Sequence, residues 1–152
     1  MANMTDQNRV NAILQALFTS STTFTITPGT GGGSAFTITP PYKLRLMTAN
    51  GTNTANGTEA TAGACPGYVA TGSTLGATFC AAPASGQQTN SNAVSWSATG
   101  AWSAITGCEI WDSAATPLRW LQGALTSNIT GVANGDTVQF AAGAITVNAS
   151  QW

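Results

Sequence analysis

The stretch AITGCEIWDSAATPLRWLQGAL, from Ala104 to Leu125, constrains this chain more than any other. Cys108 and Ile110 alternate with Glu109 and Trp111. Beyond the turn residues DSAATP, Leu118 and Trp120 alternate with Arg119 and Leu121. Alternation with a period of two sends one side chain to each face in turn, which a strand satisfies and a helix does not. The pattern predicts an antiparallel hairpin. A second such region lies near the C-terminus: in GVANGDTVQFAAGAITVNAS, Val138 and Phe140 alternate with Thr137, Gln139 and Ala141, and Ile145 and Val147 with Thr146 and Asn148. Asn134-Gly135-Asp136 supplies turn chemistry ahead of it and Ala141-Ala142-Gly143 a tight reversal inside it. This stretch is therefore also expected to be a hairpin, facing the Trp-rich one.

Shorter runs fill the space between. In YKLRLMTA, Leu44 and Leu46 alternate with Lys43, Arg45 and Met47, and further candidate strands lie around Tyr68, around Phe79 and from Ala93 to Trp96. The pentapeptide FTITP occurs at Phe24 to Pro28 and again at Phe36 to Pro40, joined by GTGGGSA. Two copies are too few for a solenoid, and they read as extended segments on a Gly-rich connector. The first either pairs within its own domain or donates a strand to another chain. From Asn50 to Gly63, NGTNTANGTEATAG carries one charge, Glu59, and no large apolar residue, and is expected to be an exposed loop. Short strands at this spacing describe an all-β chain, an antiparallel β-sandwich or jelly-roll-like domain, assigned to residues 36–152. Residues 1–35 are expected to form a short N-terminal amphipathic helix, with Val10, Ile13, Leu14, Leu17 and Phe18 on one face, followed by an extended arm.

Such a domain needs a surface, and here the charge balance matters. Only 6% of the 152 residues are charged, against about 25% in ordinary soluble domains. Thr, Ser, Asn, Gln, Gly and Ala take the place of Lys and Glu, which suits a subunit covered by neighbours better than a free monomer. Four basic residues and a net charge of −1 leave no footprint for nucleic acid. No apolar run approaches a membrane span, and the N-terminus has no secretion signal, so cytoplasmic synthesis is expected and the Asn-x-Thr/Ser sequons are read as chance. With no His and five carboxylates, His-based catalysis and most metal sites fall away. Glu109 and Asp112 are the one close acidic pair, and are read as solvated or paired with Arg119 rather than as a glycosidase dyad. The glycines of GTGGGSA lack the Lys-Ser/Thr of a phosphate loop. Cys65, Cys80 and Cys108, odd in number and without CxxC spacing, are read as free thiols. No enzyme activity and no cofactor or metal is expected.

From about Thr37 to Asn148 the ordered set SWSATGAWSAITGCEIWD, LRWLQGALT and VANGDTVQFAAGAITV, preceded by VNAILQALF, YKLRLMTANG and the Gly67-Tyr68 pair, resembles small virion structural proteins of tailed phages of the actinobacterial type, commonly labelled tail fibre proteins. The chain departs from that pattern in lacking a His after the first strand and an Arg after Gly67-Tyr68, which bears on a shared ligand site and not on the fold. The resemblance implies a structural virion component present in many copies, as a trimer or on a symmetric lattice, with the major capsid protein among its partners. The reading placed first is capsid decoration through subunit contacts made by Val10, Ile13, Leu14, Leu17 and Phe18 of the helix and Phe24 and Ile26 of the arm. The alternative is a tail-fibre or receptor-binding module in which Trp111 and Trp120 stack on host glycans, although two Trp at facing positions of a hairpin also suit packing or an interface.

Overall fold

The computed structural model describes residues 14–16, 23–26, 35–75 and 84–148. Its strands are β1 (Phe24–Ile26), β2 (Phe36–Ile38), β3 (Tyr42–Ala49), β4 (Thr58–Glu59), β5 (Ser73–Leu75), β6 (Gln87–Thr89), β7 (Val94–Ser97), β8 (Ile105–Trp111), β9 (Arg119–Ile129), β10 (Thr137–Phe140) and β11 (Thr146–Asn148). All pairings among them are antiparallel, and the chain is all-β. Residues 14–16 are helical, and Leu14 is wholly buried in the chain's own core. Val10, Ile13, Leu17 and Phe18, with Phe79, Cys80 and Trp152, lie outside the described residues.

The central layer is a five-stranded sheet in the order β4-β3-β8-β9, with β5 also on β3. The predicted hairpin of β8 and β9 forms, with Cys108 opposite Gly123 and Ile110 opposite Leu121. Its register slips by one residue at the turn end, so that Trp111 lies opposite Arg119 and Trp120 is the extra residue of a bulge. The expectation that Trp111 and Trp120 face each other is thereby corrected. A bulge re-aims a side chain in this way, and here it brings Arg119 level with the face that carries Glu109 and Trp111.

The C-terminal stretch is not a hairpin. β10 pairs with β7, and β11 with β6. Thr137 to Asn148 runs antiparallel to Gln87 to Ser97 as one long ribbon, its register offset by one residue across an interruption. The interruption is built on Asn90, which is 2% exposed. Its Nδ2 donates to Ala141 O at 2.7 Å and Asn92 O at 2.8 Å, and its Oδ1 accepts Ile145 N–H at 2.8 Å. Gly143, at φ 78°, donates its N–H to Asn90 O. Residues 141 to 145 therefore kink the strand around one captured amide and do not reverse it. The alternation had assigned the faces correctly and the partner wrongly.

The two FTITP segments pair with each other, Phe24 opposite Ile38 and Ile26 opposite Phe36, which is the pairing within one chain. Tyr68 lies in a turn and not in a strand, its N–H donating to Cys65 O at 2.9 Å. Gly67 beside it has φ 93°, and a Cβ there would collide with Ser97 O, so only glycine closes this turn against β7.

The ribbon packs on one face of the sheet. Leu44, Leu46, Ile105 and Ile110 from the sheet meet Val94, Trp96, Val138 and Val147 from the ribbon in one cluster, joined by Tyr68 and Trp102. Trp96 makes edge-on contact with Phe140 at 6.1 Å, and Tyr68 with Trp102 at 6.5 Å. Trp102 Nε1 donates to Pro66 O at 2.8 Å, so the indole is buried without losing its hydrogen bond. Leu44, wholly buried and opposite Ile110, sits at the middle of this cluster. Leu44→Ala should cost about 2–5 kcal/mol, seen as a lower urea midpoint with an unchanged m-value.

Candidate functional site

The opposite face of the same sheet is polar. Register places Lys43, Arg45 and Met47 of β3 beside Trp111, Glu109 and Gly107 of β8, and Gln122 of β9 beside Glu109. Of the four basic and five acidic residues in the chain, Lys43, Arg45, Glu59, Glu109 and Arg119 gather on or beside this face. Asp6 and Arg9 lie outside the described residues, and Asp136 caps a turn elsewhere by accepting Ala133 N–H at 2.8 Å.

Glu109 is 1% exposed, and its carboxylate is held from three directions. Oε1 accepts Arg119 Nη1 at 3.0 Å and Gly57 N–H at 2.8 Å, while Oε2 accepts Trp111 Nε1 at 2.9 Å. A carboxylate taken out of water this completely is tolerated only when its charge is matched and its lone pairs are used. Arg119 then reaches further. Nη1 also donates to Ala55 O at 2.7 Å and Gln122 Oε1 at 3.2 Å, and Nη2 donates to Thr52 O. Gln122 Nε2 donates to Asn53 Oδ1 at 3.1 Å. One guanidinium thus fastens the loop between β3 and β4 to the sheet, using the planar fork that an ammonium lacks. Gly51 makes the approach feasible, because a Cβ there would collide with Arg119 Nη1 and Glu109 Oε1.

A second ion pair, Arg45 Nη1 to Glu59 Oε2 at 3.1 Å, fastens β4. The Arg45 guanidinium lies 4.2 Å from the Trp111 ring centroid, a cation–π contact that links the two pairs. Glu59 Oε1 accepts Tyr68 OH at 2.8 Å and Thr71 N–H at 2.7 Å, and the Tyr68 oxygen accepts Leu46 N–H at 3.2 Å. Burial, with the Glu59 carboxylate adding to it, pushes the Tyr68 hydroxyl well above the usual phenol range, which keeps it a donor. The polar network and the aromatic core meet at this one side chain.

The sequence-predicted residues fall out as follows. Glu109 pairs with Arg119, as one of the two readings had it, but it is buried. Asp112 is neither solvated nor paired with Arg119: wholly buried, it accepts Leu118 N–H at 2.8 Å and Ala114 N–H at 3.3 Å on Oδ1 and closes the β8–β9 turn. Trp111 is 8% exposed and lies under Arg45, and Trp120 is half-buried against the core, so these two form no exposed stacking row. The loop from Asn50 to Gly63 is exposed over Thr52 to Asn56, as expected, but it is tied down and includes β4 and buried Ala60. Its tethers were missed because they run to backbone carbonyls, which no sequence pattern marks. Phe24 and Ile26 sit in β1. Cys65 and Cys108 are free thiols. Burial, and then the neighbouring Glu109 charge, pushes Cys108 up to about 11 from the ordinary 9.0. Among the described residues no cluster of His, Cys, Asp or Glu gathers to hold a metal. The arrangement clamps loops, with Glu109 and Asp112 each held by its own set of donors.

The sequence model of a family described as podophage GP4 fiber I protein gp80 matches residues 26–148. No curated protein matches the chain.

Arg119→Ala would leave the Glu109 carboxylate buried without its cation, and should cost about 3–5 kcal/mol in urea unfolding. Fast hydrogen exchange at Gly57 should accompany it, and Arg119→Lys should restore little of either. Because the raised pKa lowers the thiolate fraction at pH 8, Cys108 should resist iodoacetamide in the folded chain and react once urea unfolds it.

Proposed function

The chain belongs to the podophage GP4 fiber I protein gp80 family, and on that footing we propose that it serves as a fibre subunit of a phage particle, acting through surfaces and not through catalysis. The observation that carries this reading is the extent of the match, which begins at the last residue of β1 and ends at the last residue of β11. It moves the preference from capsid decoration, which the sequence reading had put first, to a fibre.

The clamped loop fits that role. A fibre tip meets its target repeatedly and gains affinity when the contacting loop is ordered beforehand, since the entropy of ordering is then not lost on contact. Thr52, Asn53, Thr54, Ala55 and Asn56 are exposed on a loop whose carbonyls are held by Arg119. Hydroxyl and amide groups on such a frame suit the hydroxyls of a neutral host-surface glycan. The contact surface proposed is this loop, in place of Trp111.

Gold-labelled antibody against this chain, applied to particles that contain it, should mark appendages at the tail. Label spread evenly over the capsid would overturn the fibre assignment in favour of decoration. Purified protein should also compete with such particles for adsorption to host cells. Thr54→Ala with Asn56→Ala, exposed positions outside the Arg119 and Gln122 tethers, should weaken that competition about tenfold while leaving the urea midpoint unchanged.

A further inference from the structure

Cross-strand register divides the polar face of the sheet into three rows. The first is Lys43, Trp111 and Arg119, and the second Arg45, Glu109 and Gln122. Both are filled by long side chains. The third, Met47, Gly107 and Ala124, holds no polar side chain, and its middle position has no side chain at all. A Cβ at Gly107 would collide with Asn50 Oδ1 and with the backbone oxygen of Gly123, so the row stays open where the Asn50 side chain leans over it. A hollow of about 270 Å³ follows, at the foot of the loop between β3 and β4 and next to the Gln122 tether of that loop.

The groups around the hollow set what it can hold. The Glu109 carboxylate already accepts Arg119, Gly57 N–H and Trp111 Nε1, and both ends of the Gln122 amide are engaged, Oε1 by Arg119 and Nε2 on Asn53. Their partners lie within the chain. Asn50 differs. Its Oδ1 is turned towards the sheet and accepts Thr106 Oγ1 at 3.1 Å, while its Nδ2 has no partner among the described residues. Asn50 is exposed, so this NH2 stands at the mouth of the hollow. Met47, Ala124, Gly51 and Gly123 supply much of the remaining lining. One free donor against small and apolar neighbours suits a neutral group that carries one strong acceptor and one methyl, which describes an acetyl group. A lone hydroxyl would leave the apolar walls unfilled, and an ionised group would enter without a counter-charge. The volume agrees: pockets that take a whole drug-sized molecule run about 300–1,000 Å³, and this smaller one admits a substituent.

We propose that this hollow receives the acetyl group of an acetylated sugar, N-linked or O-linked, with the acetyl carbonyl accepting Asn50 Nδ2 and the methyl lying against Met47 and Ala124. The inference rests on the glycan-binding reading of the loop at residues 52–56, and adds which glycans that loop selects. The sugar ring lies along the exposed loop and its substituent reaches in beside it. Selectivity then comes from a shielded hydrogen bond and a buried methyl, neither of which a plain hexose provides.

Three neutral sugars separate the outcomes: the methyl glycosides of glucose, N-acetylglucosamine and 6-O-acetylglucose, titrated to about 100 mM into the nitrogen-15-labelled full chain and followed by amide shifts. At least one acetylated glycoside should bind about tenfold or more tighter than the glucoside and move the amides of Gly51, Gly123 and Ala124. The tighter of the two identifies the linkage. Ala124→Leu, at an exposed position, fills the hollow, and Asn50→Asp keeps the acceptor for Thr106 while removing the NH2. Each should abolish the preference with the far-ultraviolet spectrum unchanged. Equal affinity for all three glycosides, or an acetyl preference that survives Ala124→Leu in folded protein, overturns the acetyl site and leaves the glycan reading of the loop standing. No shift with any of the three overturns both.

Discussion

A strand buried on both faces has to be covered twice, and β8 is covered by two layers of different chemistry. Its apolar face lies under the ribbon, where covering is a matter of area and shape and any well-packed side chain will serve. Its polar face carries Glu109, which cannot be covered that way. A carboxylate at 1% exposure needs a cation and several donors, and these come from Arg119, Trp111 and the backbone of Gly57. The loop above the sheet closes because Glu109 and Arg119 bind its backbone. Remove that pair and the loop between β3 and β4 loses its two strongest attachments to the sheet.

The bulge at Trp120 follows from the same requirement. In a regular hairpin with Ile110 opposite Leu121, the residue opposite Trp111 would be Trp120, and Arg119 would fall on the apolar face. One extra residue turns Arg119 to the side where Glu109 waits. The glycines are constrained likewise: Gly51 lies where the guanidinium and the carboxylate pass, and Gly107 where a Cβ would collide with the Asn50 side chain. A small number of charges therefore dictates backbone geometry well beyond their own positions.

How much of this was legible in the sequence depended on what kind of signal carried it. The faces of β3, β8, β10 and β11 could be read because alternation reports burial directly. The partners of β10 and β11 could not, because the same alternation serves a hairpin and two separate pairings equally. The deciding residue, Asn90, is a single amide some fifty positions away along the chain. The Glu109–Arg119 pair was legible as a cross-hairpin contact of opposite charges. Its burial was not, since that depends on a loop of Thr, Asn and Gly whose attachments are made by carbonyl groups. A one-residue bulge among Trp120 and Leu121 leaves the hydrophobic pattern nearly unchanged and so passes unseen.

The distribution of charge also bears on what the outer surface can do. Because Lys43, Arg45, Glu59, Glu109 and Arg119 are engaged with one sheet face and Asp112 is buried in the β8–β9 turn, most of the remaining described surface offers amides, hydroxyls and small apolar groups. Contacts between such groups owe little to long-range fields and change little with ionic strength, whereas charged surfaces are screened within about 8–10 Å in ordinary salt. A fibre protein is exposed to whatever medium surrounds the host, so contacts that ignore salt are an advantage to it. The cost is weak electrostatic protection against unwanted association, which leaves shape and edge chemistry to decide what may approach. On this chain the edge broken into β4 and β5 carries Glu59 and lies beside Lys43, so two of the few charges, by their placement, stand where an approaching strand would meet them.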